Sequence, residues 1–268
     1  VSLIAWVSVK GARGASTSGL AVASVWPADR KVLFAELDPA GGDLVARFGL
    51  APDPGLVQLG AGFRHALSAE EVWSHSQTLP GGVPVLVGPA TAQQGHALGP
   101  LWEHLGPVLA ALPDTDVIAD CGRLDPGSPA LEIPRHADIV VLVVRPTLEG
   151  VAHLRARLAA AVSDAPVGIV LVGESPYSTA EVEAAVGVKV IGAIAHDERA
   201  ADLLNGEPGK SSALNRSALM RSARGLAAVL APVARAQQHA RRPQPVAPAT
   251  TPSSSSRDFA LADAGDVR

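Results

Sequence analysis

Ser8-Val9-Lys10-Gly11-Ala12-Arg13-Gly14-Ala15-Ser16-Thr17 is the stretch on which the reading of this 268-residue chain turns. It follows the apolar run Leu3–Val9 and leads into a helical segment. A strand that passes through a glycine-bearing turn into a helix aims backbone N–H groups at a bound anion, and the helix dipole adds positive potential there. Alone, such a turn decides little, because GxxG turns are common. What surrounds it decides more.

Working outward, short and nearly continuous apolar runs recur: Val32–Leu37, Val83–Val87, Val117–Ala119, Ile139–Val144, Val167–Val172 and Val190–Ala193. Uninterrupted Val/Ile/Leu runs suit strands buried on both faces, as in a parallel sheet. Between them lie Ala/Leu/Arg segments at helical spacing, such as Leu148–Val162. The alternation predicts a doubly wound α/β fold with a mostly parallel sheet flanked by helices. From Leu214 the pattern predicts one long helix with Leu219, Ala223, Leu226 and Leu230 on one face, which Pro232 should kink or shorten.

Composition narrows the options. Apolar residues make up 47% of the chain and charged ones 18%, which excludes a wholly disordered chain. A single cysteine, Cys121, excludes a disulfide framework and a cysteine-built zinc site. No apolar run approaches the length of a spanning helix, and Val1–Val9 is too short for a signal peptide, so a reducing, cytoplasmic setting is expected. The eight histidines show no metal-site spacing, and the four tryptophans are dispersed as core residues would be.

Two acidic segments join the glycine turn. Val32-Leu33-Phe34-Ala35-Glu36-Leu37-Asp38-Pro39 is a strand ending in a Glu-x-Asp pair, followed by Gly41, Gly42, Asp43 and Leu44. Asp116-Val117-Ile118-Ala119-Asp120-Cys121-Gly122 puts a carboxylate at the end of a buried run, where a magnesium ion can be held through water. Asp38 and Asp43 read equally well as helix caps when taken singly. Cys121 reads as a packing residue.

Taken in this order, the three motifs resemble the deviant Walker A, Walker A′ and Walker B segments of the MinD/ParA family of P-loop ATPases, and the likeness extends over residues 1–236. The resemblance implies that residues Lys10, Gly11, Ala12, Arg13, Gly14, Ala15, Ser16 and Thr17 bind ATP. It implies that Ser16, Asp38 and Asp120 serve Mg2+. Lys10 becomes the signature lysine that reaches across a sandwich dimer, and Lys10 and Asp38 the catalytic candidates. Gly192–Arg199 resembles the family's G-x-I-P-x-D segment with Ala195 in place of proline, whereas Val172-Gly173-Glu174-Ser175 lacks the usual base-binding asparagine.

The departures fall on the chemistry. Val9 and Ala12 replace glycines, Glu36 replaces the first acidic residue, and Ala15 replaces the lysine that reaches the β- and γ-phosphates. One lost charge-assisted contact weakens binding by roughly 1.5–3 kcal/mol, and Arg13 offers only a longer planar substitute. The expected function is therefore a MinD/ParA-like switch with weakened ATP binding and slow or absent hydrolysis, working in chromosome or plasmid partition or in a pilus or secretion apparatus. Its alternatives are a non-hydrolysing interaction scaffold and a non-specific DNA-binding partition protein. Expected partners are a second copy of the chain, DNA, and a partner ATPase or assembly protein.

Charge is uneven. Pro208–Arg257 holds eight of the 22 basic residues and none of the 26 acidic ones. Arg216, Arg221, Arg224 and Arg235 are candidate polyanion contacts, against the plainer reading of a solvated helix face. Residues 237–268 are read as a Pro/Ser-rich disordered tail rather than a basic membrane helix, so no direct membrane anchor is expected.

Overall fold

The computed structural model describes residues 2–10, 14–64, 66–161 and 165–241. The strands are β1 (Ser2–Ser8), β2 (Lys31–Glu36), β3 (Gln77–Thr78), β4 (Pro84–Leu86), β5 (Thr115–Arg123), β6 (Ile139–Val144), β7 (Val167–Val172) and β8 (Val190–Ile194). Helices follow as α1 (Ala15–Ser24), α2 (Leu44–Phe48), α3 (Leu56–Gly62), α4 (Ala69–Ser74), α5 (Ala92–Ala97), α6 (Leu101–Ala110), α7 (Leu148–Ala161), α8 (Thr179–Val186), α9 (Glu198–Leu204), α10 (Ser211–Arg216) and α11 (Ala218–Arg241). Among the described residues the strands form one sheet in the order β3-β4-β2-β5-β1-β6-β7-β8. Every pairing is parallel except β3 with β4. The short antiparallel edge at Gln77–Thr78 carries no apolar run and was not legible as a strand.

Period-2 alternation sorts each buried strand into two cores. Leu3, Ala5 and Val7 of β1 join Val117 and Ala119 of β5 beneath Leu59 of α3, Leu105 of α6 and Leu154 of α7. Ile4 and Trp6 point the other way, with Phe34 and Ile118, onto Leu20 of α1 and Leu226 and Leu230 of α11. A central strand buried on both faces can be apolar at every position, which is why these runs read as continuous rather than alternating. β5 lies between β2 and β1, with Glu36 and Trp6 both in register with Asp120. The C-terminal ends of these three strands meet at the point where the winding reverses, the usual place for a ligand crevice in such sheets.

The C-terminal helix differs from expectation. It does not run unbroken from Leu214: the chain breaks at Ser217, whose extended backbone separates α10 from α11. The Ser217 hydroxyl accepts the Met220 N–H at 3.1 Å and so caps the new helix. Pro232 does not shorten α11, which continues to Arg241. Pro232 and Ala228, whose carbonyl loses its helical donor there, both lie on the exposed face where water can replace the bond. The tail expected beyond lies mostly in 242–268, outside the described residues. No described helix is long and apolar enough to cross a membrane.

Candidate functional site

The site is built where β1, β2 and β5 end. Gly14 stands at the N-cap of α1 with φ +87°, a left-handed conformation that favours glycine, and a Cβ there would meet Val172 at 3.3 Å. Gly11, Ala12 and Arg13 lie outside the described residues. Ala15 opens the helix and is only 6% exposed, packed in the core. Its carbonyl accepts the Trp6 indole N–H at 3.0 Å and the Ser18 hydroxyl at 2.7 Å. A fully buried tryptophan thus braces the first turn of α1 from below.

Ser16 and Asp120 come together: the serine hydroxyl donates to the carboxylate. Burial pushes the Asp120 carboxyl up to about 6. The Ser16 and Gly122 donors pull it down, while the nearby Glu36 and Asp38 charges raise it further. Asp38 is half-buried and accepts the Ala40 N–H at 2.8 Å. Burial raises its pKa, opposed by that hydrogen bond and by the Arg123 charge. Gly122, with φ +67°, makes room for it: a Cβ there would sit 2.2 Å from the Asp38 carboxyl carbon.

Glu36 does something different from its neighbours. Its carboxylate accepts three backbone N–H groups, from Asp43 at 2.6 Å, Leu44 at 3.0 Å and Gly88 at 3.0 Å. It therefore fastens the segment carrying Asp38 to the end of β4. Burial still leaves its pKa raised. Asp43 occupies the N-cap position of α2 without a side-chain cap bond, because Glu36 takes that role from outside the helix. Asp43 pairs instead with Arg47 at 2.6 Å.

Lys10 is exposed, and its ammonium donates to His153 Nε2 of α7 at 2.9 Å. One turn further, Arg157 donates from Nη1 to the carbonyls of Val9 and Leu124, both at 2.9 Å, clamping the ends of β1 and β5 together. Thr17 is buried and turns toward α9, where Asn205 Nδ2 lies 3.5 Å from its hydroxyl. Cys121 is buried with its thiol pushed well up by burial, which fits packing and not nucleophilic chemistry.

Beside Gly14 lies a cavity of about 340 Å3, walled by Val172, Ile194, Ala195 and Leu219 with His196 and Asp197 at its rim. Asp197 has both oxygens engaged, accepting Ala200 N–H at the start of α9 and Ala218 N–H at the start of α11, each at 3.1 Å. This aspartate ties two helices together beside the cavity.

The residues present fit a magnesium nucleotide in part. A left-handed glycine leading into a helix N-terminus offers an anion cradle. A hydroxyl bonded to a buried carboxylate at a strand end suits a hydrated Mg2+. Among the described residues no three His, Cys, Asp or Glu side chains are arranged to hold a metal by themselves. The loop cation is lacking, because the first residue of α1 is Ala15, which carries only a methyl group.

The candidate polyanion contacts lie elsewhere. Arg221 Nη1 donates to the Arg216 carbonyl, and Arg224 Nη1 to the Asn215 carbonyl at 2.9 Å. Both remain exposed, but they finish the C-terminus of α10 and are not simply solvated, as the plainer reading had it. The Arg235 side chain lies outside the described residues. Gly122, Arg157 and His153 were missed in the sequence. Their roles depend on contacts between segments far apart in the chain.

No protein-family model matches the sequence, and no curated protein does. Solved structures do. A ParA family ATPase from Chlorobium tepidum TLS superposes with a TM-score of 0.71 at 20% identity, covering 85% of this chain and 99% of that one. The septum site-determining protein MinD from Pyrococcus horikoshii OT3, complexed with Mg-ADP, gives 0.67 at 18% identity, covering 88% and 98%. A plasmid partition protein from Borrelia burgdorferi B31, bound to AMPPNP, gives 0.62 at 14% identity, covering 85% and 97%. The chain has the ParA/MinD-type P-loop fold.

Proposed function

We propose that the protein is a ParA/MinD-like nucleotide-binding switch that takes up Mg-ATP weakly and turns it over slowly or not at all, in the service of positioning or assembly. The observation that carries this reading is the Ser16–Asp120 hydrogen bond beneath the Gly14 cap, next to a buried Ala15. The metal dyad is kept and the loop cation is gone. Similar chains crystallised with Mg-ADP and AMPPNP support the same crevice as the nucleotide site. When bound, Mg2+ would supply charge neutralisation at the phosphates. Ser16 and Asp120 would hold it, Asp38 would orient water, and Gly14 and the first turn of α1 would receive the phosphates. The cavity walled by Val172, Ala195 and Leu219 would receive the base.

The similar proteins are named for plasmid partition and septum-site determination, and a homodimer meeting through Lys10 is what the loop's resemblance implies. A DNA-contacting role keeps one observation in its favour: Arg216, Arg221 and Arg224 cluster on the exposed side of α10 and α11. Calorimetric titration with ATP tests the main reading. Binding should require magnesium and disappear in Asp120→Ala. No heat and no thermal stabilisation at millimolar Mg-ATP would replace the switch with a scaffold.

A further inference from the structure

We propose that Arg123 is the phosphate-contacting cation of this site, taking the place of the lysine that the loop lacks at Ala15; this rests on the nucleotide reading above. Three observations point to it. First, the strand order β2-β5-β1 puts the end of β5 between the strand carrying Asp38 and the strand feeding the loop. Arg123 is in register with Ser8, two residues before Lys10. Second, its backbone is held there from both sides. Leu124 N–H donates to the Ser8 carbonyl at 2.7 Å, and Arg157 bonds the Val9 and Leu124 carbonyls together. Third, the Arg123 side chain is exposed, its charge favours the ionised form of Asp38, and its guanidinium makes no hydrogen bond with a described residue.

Among the described residues, the other cations near the crevice are engaged or lie to one side. Lys10 donates to His153. Arg157 is committed to two carbonyls. Arg145 stands beyond β6, across the loop strand from the carboxylates. A polyphosphate approaching Glu36, Asp38 and Asp120 meets a field of its own sign, so a cation besides the metal is needed at that edge. A guanidinium at a strand end can donate two parallel N–H bonds to phosphate oxygens, which compensates for a longer reach than a lysine in the loop would need.

The test is a calorimetric comparison of ATP with AMP, both with magnesium, on the full chain and on Arg123→Ala, Arg123→Lys and Arg13→Ala. Loss of a charged phosphate contact should weaken Mg-ATP roughly 10- to 100-fold in Arg123→Ala. AMP affinity and the unliganded melting temperature should stay unchanged, and Arg123→Lys should recover part of the loss. In an Ala15→Lys background the Arg123→Ala penalty should shrink, since two cations then serve one group. Wild-type-like Mg-ATP affinity in Arg123→Ala would overturn the assignment while leaving the nucleotide reading intact, as would a loss confined to Arg13→Ala. A wild-type chain that binds neither nucleotide would remove both.

Discussion

Asp116 and Asp120 stand two alternations apart on the same face of β5, with Ile118 between them, both essentially without solvent exposure, and the chain treats them in opposite ways. Asp116 lies at the N-terminal edge of the sheet. It accepts the Ser2 hydroxyl at 2.5 Å, the Trp26 indole N–H at 2.9 Å and an Arg30 Nη2 N–H at 2.6 Å, and Arg30 Nε stands 2.5 Å away as an ion pair without a hydrogen bond. Asp120 lies at the C-terminal edge with Ser16 and one backbone N–H for company, two further carboxylates nearby and a pKa raised to about 6. One end of the strand is a finished ion pair. The other gathers three carboxylates, and burial with the neighbouring Glu36 and Asp38 charges raises the Asp120 pKa.

The largest expected effect is at the finished end. Asp116→Ala leaves Arg30, only 17% exposed, without its partner. Breaking a buried pair from one side costs about 3–5 kcal/mol. Urea unfolding should show a loss of that order, whereas Asp120→Asn should leave stability at neutral pH unchanged or raised. Equal losses at both positions would erase the contrast.

The next effect is a pH dependence. A carboxyl whose folded pKa lies above its unfolded value contributes stability that is present below the unfolded value and lost as pH rises through the folded one. For Asp120, rising from 3.8 to about 6, the contribution falls away between about pH 4 and 6 and amounts to about 3 kcal/mol at 1.36 kcal/mol per unit. Asp38 and Glu36 shift in the same direction. Glu71, Glu149, Glu181 and Glu183 are lowered and slope the other way. The informative quantity is therefore wild type minus Asp120→Asn across that window. A flat difference would mean that Asp120 is ionised without penalty.

A smaller effect completes the unfinished end. Ala15→Lys restores a loop cation and should tighten Mg-ATP about ten-fold or more, by the 1.5–3 kcal/mol of a charged hydrogen bond. With Ala15 in place, phosphate release should be near background and little altered by Asp38→Ala. A robust wild-type rate abolished by Asp38→Ala would show that another cation already completes the site.

What the sequence disclosed, and what it withheld, follows the same division. Apolar runs such as Ile139–Val144 match the strand residue for residue, because burial on both faces leaves a local signature. Asp38, Ser16 and Asp120 could be singled out because strand ends and a helix start are also local. What was hidden depends on partners distant in the chain. Glu36 looked like a variant acid and is instead a backbone clamp for Asp43, Leu44 and Gly88. Gly122 only closed the acidic strand segment, with no role of its own, yet its missing Cβ is what admits Asp38. Ser217 carried a capping signal that the longer apolar periodicity of α11 overrode.

The smallest effect concerns the arginines of α11. Arg221 and Arg224 each give one N–H to the last carbonyls of α10, so Arg221→Ala with Arg224→Ala should loosen that helix end by about 1–2 kcal/mol, the net worth of two exposed bonds. Each guanidinium also keeps exposed donors for a polyanion. If double-stranded DNA binds here, affinity should fall with salt at a log–log slope of about −0.9 per phosphate contact, and the double variant should flatten that slope by about two. A mobility assay at low salt separates the two roles. A lost shift with an unchanged melting curve assigns the arginines to DNA. A lowered melting curve with no shift in either protein leaves them as caps for α10, structural in the way that Arg30 is at the far end of the sheet.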